Sequence, residues 1–316
     1  MKILMVTPAG KGSRKGNRVT AERWAKMLRG LGHRVEVAET FCGQTCDLLL
    51  ALHARRSHDS IQKFHDLYPH KPLVVALTGT DLYKDIHINR QAQHSLQLAH
   101  RLIILQPRGL EVLPPSVRDK TRVIFQSAVG PRGEIKKSRR YFEVCVIGHL
   151  RPVKDPFRAA LAVRNLPPGS RIRVLHLGNA LDQTMGNMAR MEMQINPRYR
   201  WLGEKPRWQT RRLLARAQLL VHSSIMEGGA NVVAEAVVCG VPVLASRISG
   251  TIGQLGEDYP GYFPVQDGRT LRNLLLKAEN DPQFLKLLKE WIDKLKPNFS
   301  PEKEIQAWAH FMKEFE

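Results

Sequence analysis

The sequence predicts an α/β protein built from two doubly wound, Rossmann-like domains. Short apolar segments alternate with amphipathic segments along almost all of the 316 residues, as parallel strands joined by crossover helices do. At roughly 100–200 residues per domain, this length accommodates two domains with separate cores. The basic, Gly- and Pro-containing segment 127–141 interrupts the alternation. We therefore expect an N-terminal domain over 1–135, a C-terminal domain over 136–299 and a final segment over 300–316.

The apolar runs are short and are followed by polar or glycine-rich turns, which is typical of buried strands. In the first half they predict strands at 2–7, 47–53, 73–77, 101–105 and 122–126. In the second half they predict strands at 142–148, 171–178, 199–203, 217–224, 241–246 and 262–265. Helices fill the gaps. The first is expected from Val19 to Leu31, because Trp24 and Leu28 have helical spacing and glycines follow.

The last segment predicts a helix that begins at Ser300 and Pro301, an N-cap followed by proline at the first helical position. Its apolar face is expected to contain Ile305, Trp308, Phe311 and Met312. Two doubly wound domains would face a cleft between the carboxyl ends of their sheets, where ligands bind in open α/β folds.

The amino-acid composition and the charge distribution argue against several classes of function. There are 49 Lys and Arg against 29 Asp and Glu, giving a net charge of +20, but the excess is spread over both halves and only 7% of residues are aromatic. We therefore expect no nucleic-acid partner. The apolar start is too short for a secretory signal, and no stretch is long enough to insert stably in a membrane. Four sparse cysteines indicate reduced cytoplasmic thiols, and no cluster has metal-ligand spacing.

The most informative segment is 217–250, which reads as a strand, a loop and a helix. Gly228 and Gly229 stand in the strand-to-helix turn, where backbone amides and a helix N-terminus can hold a phosphate. Glu227 precedes the helix and Glu235 lies about two turns along it, on the order of 9 Å further. This arrangement predicts a cradle for a nucleotide sugar, with one carboxylate on each side of a diphosphate.

Glu227 and Glu235, followed by Ala236, Gly240 and VPVLAS, resemble the E-x7-E signature of the retaining family-four glycosyltransferases. The resemblance extends to VIGHLRPVKDP (146–156), LHLG (175–178) and the stretch 201–224. It implies the GT-B fold, a nucleotide-sugar donor and a last helix that crosses back to the N-terminal domain.

The resemblance also implies roles for individual residues. Glu227 would hold hydroxyls of the transferred sugar and Glu235 the ribose, while Lys154 would neutralise the leaving diphosphate. His149 stands where the family has an arginine, for which Arg151 could substitute, so Glu227, Lys154 and Arg151 are the catalytic candidates. The donor-binding candidates are His149, Gly203, Ser224, Gly228, Gly229, Ala230, Asn231 and Glu235.

The loop after the first strand combines glycines with four cations, Lys11, Arg14, Lys15 and Arg18. Gly-x-Gly after a strand also suggests a dehydrogenase, but the second strand does not end in an acidic residue, since Glu39 lies beyond it. In the family this loop contacts phosphate. The acceptor or phosphate candidates here are Lys11, Gly12, Ser13, Arg14, Lys15, Gly16 and Asn17.

Two further segments supply acceptor candidates. LVVALTGTDLY (73–83) is similar to a family turn that commonly contains histidine, but here Thr78 occupies that position, and a threonine hydroxyl cannot transfer a proton at neutral pH. Thr80 and Asp81 belong to the same turn. His53, after the second apolar run, is either a replacement for the histidine or a structural residue.

GSRKGNRVTAERWA, CDLLLALHARRS and LVVALTGTDLY together resemble the selenosugar synthases of selenoneine biosynthesis. This resemblance implies transfer of a sugar from UDP-N-acetylglucosamine or UDP-glucose to selenophosphate, with formation of a carbon–selenium bond, no cofactor and partners in that pathway. A compact, multiply charged anion suits a cationic loop. The alternative is a conventional glycosyltransferase with a lipid or saccharide acceptor at an anionic membrane.

Overall fold

The computed structural model describes residues 1–13 and 16–315, and the predicted α/β class is confirmed. The chain divides into two compact units. The first comprises Met1–Gln126, Glu227–Gly229 and Pro301–Glu316, and the second comprises Ser127–Met226 and Ala230–Ser300. The units thus divide at Gln126, nine residues before the position that the basic segment suggested. That segment belongs to the second unit.

The first unit contains a six-stranded parallel sheet in the order β2-β1-β3-β4-β5-β6. Its strands are β1 (Lys2–Val6), β2 (Arg34–Ala38), β3 (Leu48–Leu52), β4 (Leu73–Ala76), β5 (Arg101–Ile104) and β6 (Thr121–Val123). Its helices, with a π-helical turn at Asp81–Asp85, are α1 (Gly16–Gly30), α2 (His58–Leu67), α3 (Ile86–Ile88), α4 (Arg90–Leu98), α5 (Gly109–Val112) and α6 (Pro115–Arg118). β3 and β4 are buried along their whole length, as expected of central strands covered on both faces.

The second unit contains another six-stranded parallel sheet, in the order β12-β11-β10-β7-β8-β9. Its strands are β7 (Phe142–Ile147), β8 (Ile172–Leu177), β9 (Tyr199–Trp201), β10 (Leu219–His222), β11 (Val243–Ser246) and β12 (Tyr262–Phe263). Its helices are α7 (Arg158–Val163), α8 (Gln183–Ile195), α9 (Arg207–Arg216), α10 (Asn231–Val238), α11 (Ser249–Leu255), α12 (Gly268–Asn280) and α13 (Pro282–Leu295). 3-10 turns occur at Pro152–Lys154 and Lys296–Phe299.

The last helix, α14 (Pro301–Met312), packs within the first unit. Trp308 is fully buried there, with its ring centroid 4.9 Å from that of Trp24 on α1. Ile305 was wrongly expected on this buried face, because 36% of it is exposed. Glu304 takes the inner position instead, and its carboxylate accepts a 2.7 Å hydrogen bond from the Trp24 indole N–H.

Each sheet contains a point where the strand order reverses, and this point determines where a ligand crevice can form. β1 pairs with β2 on one side and β3 on the other, and β7 similarly pairs with β8 and β10. The connections leave such neighbouring strands toward opposite faces, which opens a crevice at their carboxyl ends. Among the described residues, no helix combines the length and apolar character needed to cross a bilayer.

Candidate active site

In the second sheet the strand order reverses between β7 and β10, and we call this place the switch point. Here the turn that contains Lys154 is hydrogen-bonded to the residues after β10. The hydroxyl of Ser223 donates to the carbonyl oxygens of Lys154 and Asp155, at 3.2 and 2.9 Å. The Ile225 amide donates to the Val153 carbonyl at 2.9 Å. The half-buried Lys154 and the buried Ser224 therefore lie on two turns that are hydrogen-bonded to each other.

The turn after β7 approaches the turn after β8 so closely that a side chain is excluded. A Cβ on Gly178 would lie 1.9 Å from the carbonyl oxygen of Gly148. The fully buried His176 secures this approach, since Nε2 lies 3.2 Å from that oxygen and Nδ1 lies 2.9 Å from the Tyr199 hydroxyl. Burial lowers the pKa of His176 to about 4, so the ring is neutral near pH 7. Nε2 then donates to Gly148, while Nδ1 accepts from Tyr199.

His149 and Gly203 lie at this same edge of the sheet. The Asn179 amide donates to His149 Nδ1 at 3.1 Å, and the Gly178 amide donates to the Gly203 carbonyl at 2.9 Å. Arg151, half-buried, precedes the 3-10 turn in extended conformation. His149 thus contacts the neighbouring turn through its ring, a contact that the sequence did not indicate.

The start of α10 is held from a neighbouring helix. The Ala230 amide donates to Gln254 Oε1 at 2.9 Å, and Gln254 Nε2 donates back to the Ala230 carbonyl at 3.2 Å. Gln254 lies on α11, is 4% exposed and was missed by sequence reasoning, because no motif marks it. Ala230, the N-cap residue of α10, makes no side-chain capping bond of its own, and the first helical residue is the half-buried Asn231. The first amides of a helix point along its axis toward its N-terminus, where an anion can accept from them.

Glu235, near the middle of α10, faces two arginines of α9. Its Oε1 lies 3.4 Å from Arg207 Nη2 and 3.9 Å from Arg211 Nε, and 13% of its side chain is exposed. Burial and the charge of Arg207 lower the pKa of Arg211. Burial raises the pKa of Cys239, one turn further along α10, to about 11, so this thiol is neutral near pH 7. In the sequence, the indication of this contact is the pair of basic residues four apart in RWQTRR, which lie on the same face of a helix.

Glu227, Gly228 and Gly229 belong to the first unit, where they lie on the turns after β4 and β5. A Cβ on Gly228 would be 2.7 Å from the Thr78 carbonyl group, and one on Gly229 would be 2.6 Å from Leu105 Cβ. Glycine is therefore required at both positions by close packing, against the backbone of Thr78 and against the side chain of Leu105. The sequence had suggested close approach to a phosphate as the reason. Glu227 itself is half-buried.

The loop after β1 is organised by Glu39, which the sequence placed beyond β2. The Lys11 amide donates to Glu39 Oε1 at 3.1 Å, and the Ser13 amide donates to the Gly10 carbonyl at 3.0 Å. Gly12 has φ +81°, a conformation that favours glycine.

The remaining candidates of this loop divide into three groups. Arg14 and Lys15 lie outside the described residues. Gly16 and Asn17 form the first turn of α1. Arg18 was expected among the loop cations, but it is 7% exposed and pairs with Glu22 at 2.7 Å within α1.

The turns after β3 and β4 are joined by one carboxylate. Asp81 is fully buried and accepts from the amides of Ala54, Thr78 and Gly79 at 3.1, 2.9 and 2.8 Å. His53, 3% exposed, has its Nε2 3.2 Å from the Thr80 hydroxyl. The sequence predicted acceptor contact for Asp81, and this stays a prediction. Within the described residues its contacts are those of a structural link between two turns.

No group of His, Cys, Asp or Glu in the described parts of the chain could hold a metal ion. The candidate residues of the site are cations, backbone amides and carboxylates. Comparison with known proteins identifies the family of the chain.

The family model for glycosyl transferases group 1 matches residues 132–296, just over half of the chain. The chain belongs to this glycosyltransferase family. The resemblance found from the E-x7-E spacing is thus confirmed at the level of the glycosyltransferases, and the enzyme class with it.

Solved structures agree on the fold. HepE of Anabaena, solved with UDP, with UDP-glucose and with UDP and glucose, has a TM-score of 0.77 at 18% identity over 99% of this chain and 100% of its own. Sucrose-phosphate synthase of Thermosynechococcus elongatus has a TM-score of 0.79 at 14% identity over 99% and 98% of the two chains. A glycosyltransferase of Rickettsia africae has a TM-score of 0.72 at 12% identity over 99% and 98%. This likeness shows the GT-B fold.

Proposed function

We propose that this glycosyltransferase transfers a sugar from UDP-N-acetylglucosamine or UDP-glucose to selenophosphate. The proposal of a UDP-sugar donor rests on the arrangement of residues at the β7/β10 switch point. There the turn bearing Lys154 is hydrogen-bonded to the residues after β10, and α10 follows without a side-chain cap. A fixed cation beside a helix N-terminus suits a diphosphate. The complexes of HepE with UDP and UDP-glucose support the same donor class.

Within this proposal each donor residue has a distinct task. Glu235 accepts hydrogen bonds from the ribose hydroxyls, and the amides of Gly228, Gly229 and Asn231 hold the diphosphate, since that of Ala230 donates to Gln254. Lys154, assisted by Arg151, stabilises the charge that develops on UDP as the glycosidic bond breaks. Glu227 holds hydroxyls of the transferred sugar.

The proposal of an anionic acceptor is supported by the loop after β1. In this loop the exposed Lys11 lies at the switch point of the first sheet, where β1 pairs with β2 and β3. In the reaction, selenium of selenophosphate attacks C1 of the sugar, the bond from C1 to the diphosphate oxygen breaks, and its electron pair leaves with UDP. A selenium anion is already nucleophilic, so no side chain has to remove a proton from it. Thr78, in place of a histidine, is compatible with this chemistry.

The proposal is tested by incubating the purified protein with each UDP-sugar and selenophosphate, with UDP release and product mass as readouts. We expect UDP to be released in proportion to a selenium-containing sugar product. Matched reactions contain orthophosphate, or no acceptor, to measure background hydrolysis.

UDP release with a lipid or saccharide acceptor but not with selenophosphate would overturn the proposed acceptor and leave the donor assignment intact. In that case the conventional glycosyltransferase is the correct interpretation. Absence of UDP binding would overturn the donor assignment as well. Cytoplasmic location and partners in a selenoneine pathway stay predictions.

A further inference from the structure

We propose that His53 is a positioning residue, which orients the hydroxyl of Thr80 so that its proton is presented to an anionic acceptor. This inference rests on the proposed acceptor site and adds to it the device that prepares Thr80 for binding. The two residues come from different turns. His53 follows β3, and Thr80 lies in the turn after β4.

The ring of His53 is fixed in one tautomer by its neighbours. The Arg56 amide donates to Nδ1 at 3.3 Å, so in the neutral ring the proton is on Nε2. Nε2 is 3.2 Å from the Thr80 hydroxyl oxygen and therefore donates to it. The Thr80 oxygen thus acts as the acceptor, and its own proton is directed elsewhere.

Thr80 is suited to use that proton on a ligand. It occupies the N-cap position of the π-helical turn but makes no side-chain capping bond there, and it is half-buried. A hydroxyl that already accepts one hydrogen bond is a stronger donor, because hydrogen bonds in a chain polarise one another. An oxygen of a phosphate or selenophosphate is the partner that such a donor favours.

The backbone at His53 is held by the surrounding structure. Its φ is +78°, in the left-handed region, where residues other than Gly, Asn, Asp and His are uncommon. Such a conformation persists where neighbouring segments fix it. That structure includes Asp81, which accepts from Ala54 on the His53 turn and from Thr78 on the Thr80 turn.

His53 acts through Thr80 because its own ring is not accessible. Only 3% of the residue is exposed, and both ring nitrogens have hydrogen-bond partners. Asp81 and Asp85 each lie 3.9 Å from the ring, so a bound anion in direct contact with His53 would also meet two carboxylates.

The test compares His53→Gly, His53→Asn, Thr80→Val and the double variant His53→Gly/Thr80→Val in the full-length enzyme. Gly and Asn both tolerate the backbone conformation, so they remove the ring without adding strain. Each single variant is expected to raise the KM for selenophosphate about tenfold, the loss expected for one hydrogen bond to a charged group, with kcat changed less than twofold. The double variant is expected to match Thr80→Val alone, because both changes remove the same contact.

His58→Asn is the matched control, because the ring of His58 contacts the Ser95 hydroxyl at 3.0 Å in the same unit. It is expected to leave the KM for selenophosphate unchanged. Multiplicative losses in the double variant, or an unchanged KM in both His53→Gly and His53→Asn, would overturn the proposal.

A second measurement does not depend on catalysis. In ¹⁵N-histidine-labelled parent enzyme, His53 is expected to show a protonated Nε2 whose signal shifts when inorganic phosphate is titrated. The shift should be lost in Thr80→Val. A parent that shows this shift but does not use selenophosphate would contradict the proposed function and keep the present inference. Turnover with selenophosphate without any effect of phosphate on His53 would contradict the inference alone.

Discussion

At the scale of single residues, Glu235 pairs with two arginines of the neighbouring helix. Both Arg207 and Arg211 lie near its Oε1, at 3.4 and 3.9 Å. The side chain of Arg207 is 46% exposed, so its pair with Glu235 is worth no more than about 1 kcal/mol. The arginines therefore position the carboxylate through long, weak contacts.

Glu235→Ala is expected to weaken UDP binding about tenfold or more, because two ribose hydroxyls lose a charged acceptor. Titration calorimetry with UDP measures this. Glu290→Ala, an exposed glutamate on α13 that pairs with Lys286, is the control and should bind UDP normally. Equal UDP affinity in Glu235→Ala and the parent would rule out the ribose role.

Glu227→Ala is expected to lower kcat by at least tenfold while changing UDP affinity little, because its proposed partner is the transferred sugar and not the nucleotide. Steady-state kinetics with varied donor, together with UDP calorimetry, separates the two effects. A large loss of UDP affinity with unchanged kcat would contradict this role and would assign Glu227 to the nucleotide and not to the sugar.

At the scale of elements, the carboxyl ends of β7 and β8 meet through glycines and a neutral histidine. The approach of Gly178 to the Gly148 carbonyl leaves no room for a methyl group, and His176 donates to that same carbonyl. The turn that leads from Gly148 to Lys154 is thereby fixed at its first residue. This turn belongs to the proposed donor site, although neither Gly178 nor His176 has a proposed contact with the donor.

Gly178→Ala is expected to destabilise the second unit by several kcal/mol, since a Cβ would be 1.9 Å from Gly148 O and φ is +148°. Gly169→Ala is the matched control, because a Cβ there meets nothing within 4 Å and the backbone is not left-handed. Thermal unfolding and amide hydrogen exchange of β7 and β8 measure the difference. Equal stability of the two variants would contradict the close approach.

The stability of this junction is expected to fall at low pH, because His176 is buried in its neutral form. Because burial lowers its pKa from 6.5 to about 4, the unfolded chain binds this proton more readily than the folded protein. Above pH 6.5 the neutral, buried ring of His176 makes its full contribution to the free energy of unfolding, up to about 3 kcal/mol. This contribution is lost as pH falls toward 4.

His176→Gln keeps a side-chain donor for Gly148 but cannot titrate. The Tm of the parent minus that of His176→Gln is therefore expected to be largest above pH 6.5 and to decrease as pH is lowered toward 4. A difference that is constant over this range, or that grows as pH falls, would contradict the neutral buried ring.

At the scale of the whole molecule, the chain returns to its first unit at its end. α14 buries Trp308 against Trp24 and also buries a carboxylate, Glu304, which is 2% exposed. That carboxylate accepts from Trp24 and lies 3.3 Å from Arg23 Nε, so its burial is compensated by an indole and a guanidinium. The first unit thus includes residues from both ends of the sequence.

Glu304→Ala is expected to lower the stability of the first unit by about 2–4 kcal/mol, because the Trp24 N–H and the Arg23 charge lose a buried partner. Glu302→Ala, on the exposed side of the same helix, should change stability by less than about 0.5 kcal/mol. Thermal unfolding monitored by tryptophan fluorescence reports on both. Equal melting temperatures for the two variants would contradict a buried ion pair.

The strands and the signature could be predicted because they depend on neighbours in the chain. Every apolar run predicted as a strand is one, although most strands are one or two residues shorter at an end, where pairing stops before the apolar character does. The 3.6-residue period likewise located α14, but it could not distinguish Ile305 from Glu304 at the edge of the buried face.

Contacts between distant segments could not be predicted. Gln254 holds the start of α10, Glu39 holds the loop after β1, and Asp81 joins the turns after β3 and β4. Gln254 and Glu39 belong to no motif, and the motif that contains Asp81 does not indicate its contact with Ala54. In each case the partner becomes a neighbour only after the sheet has formed. Arg18 shows the converse, since its position among glycines suggested a free cation whereas Glu22 one turn away neutralises it.

The sequence by itself determined the order of strands and helices, the GT-B architecture that the family shares, and the pair Glu227 and Glu235 with their spacing. Local periodicity and short motifs carry this information, because a strand or a helix forms from consecutive residues. Only the tertiary structure decided why Gly228 and Gly229 must be glycine, what fixes His53 and which carboxylates are structural. These properties depend on atoms from segments far apart in the chain, whose approach is set by the packing of the sheets and not by any local pattern.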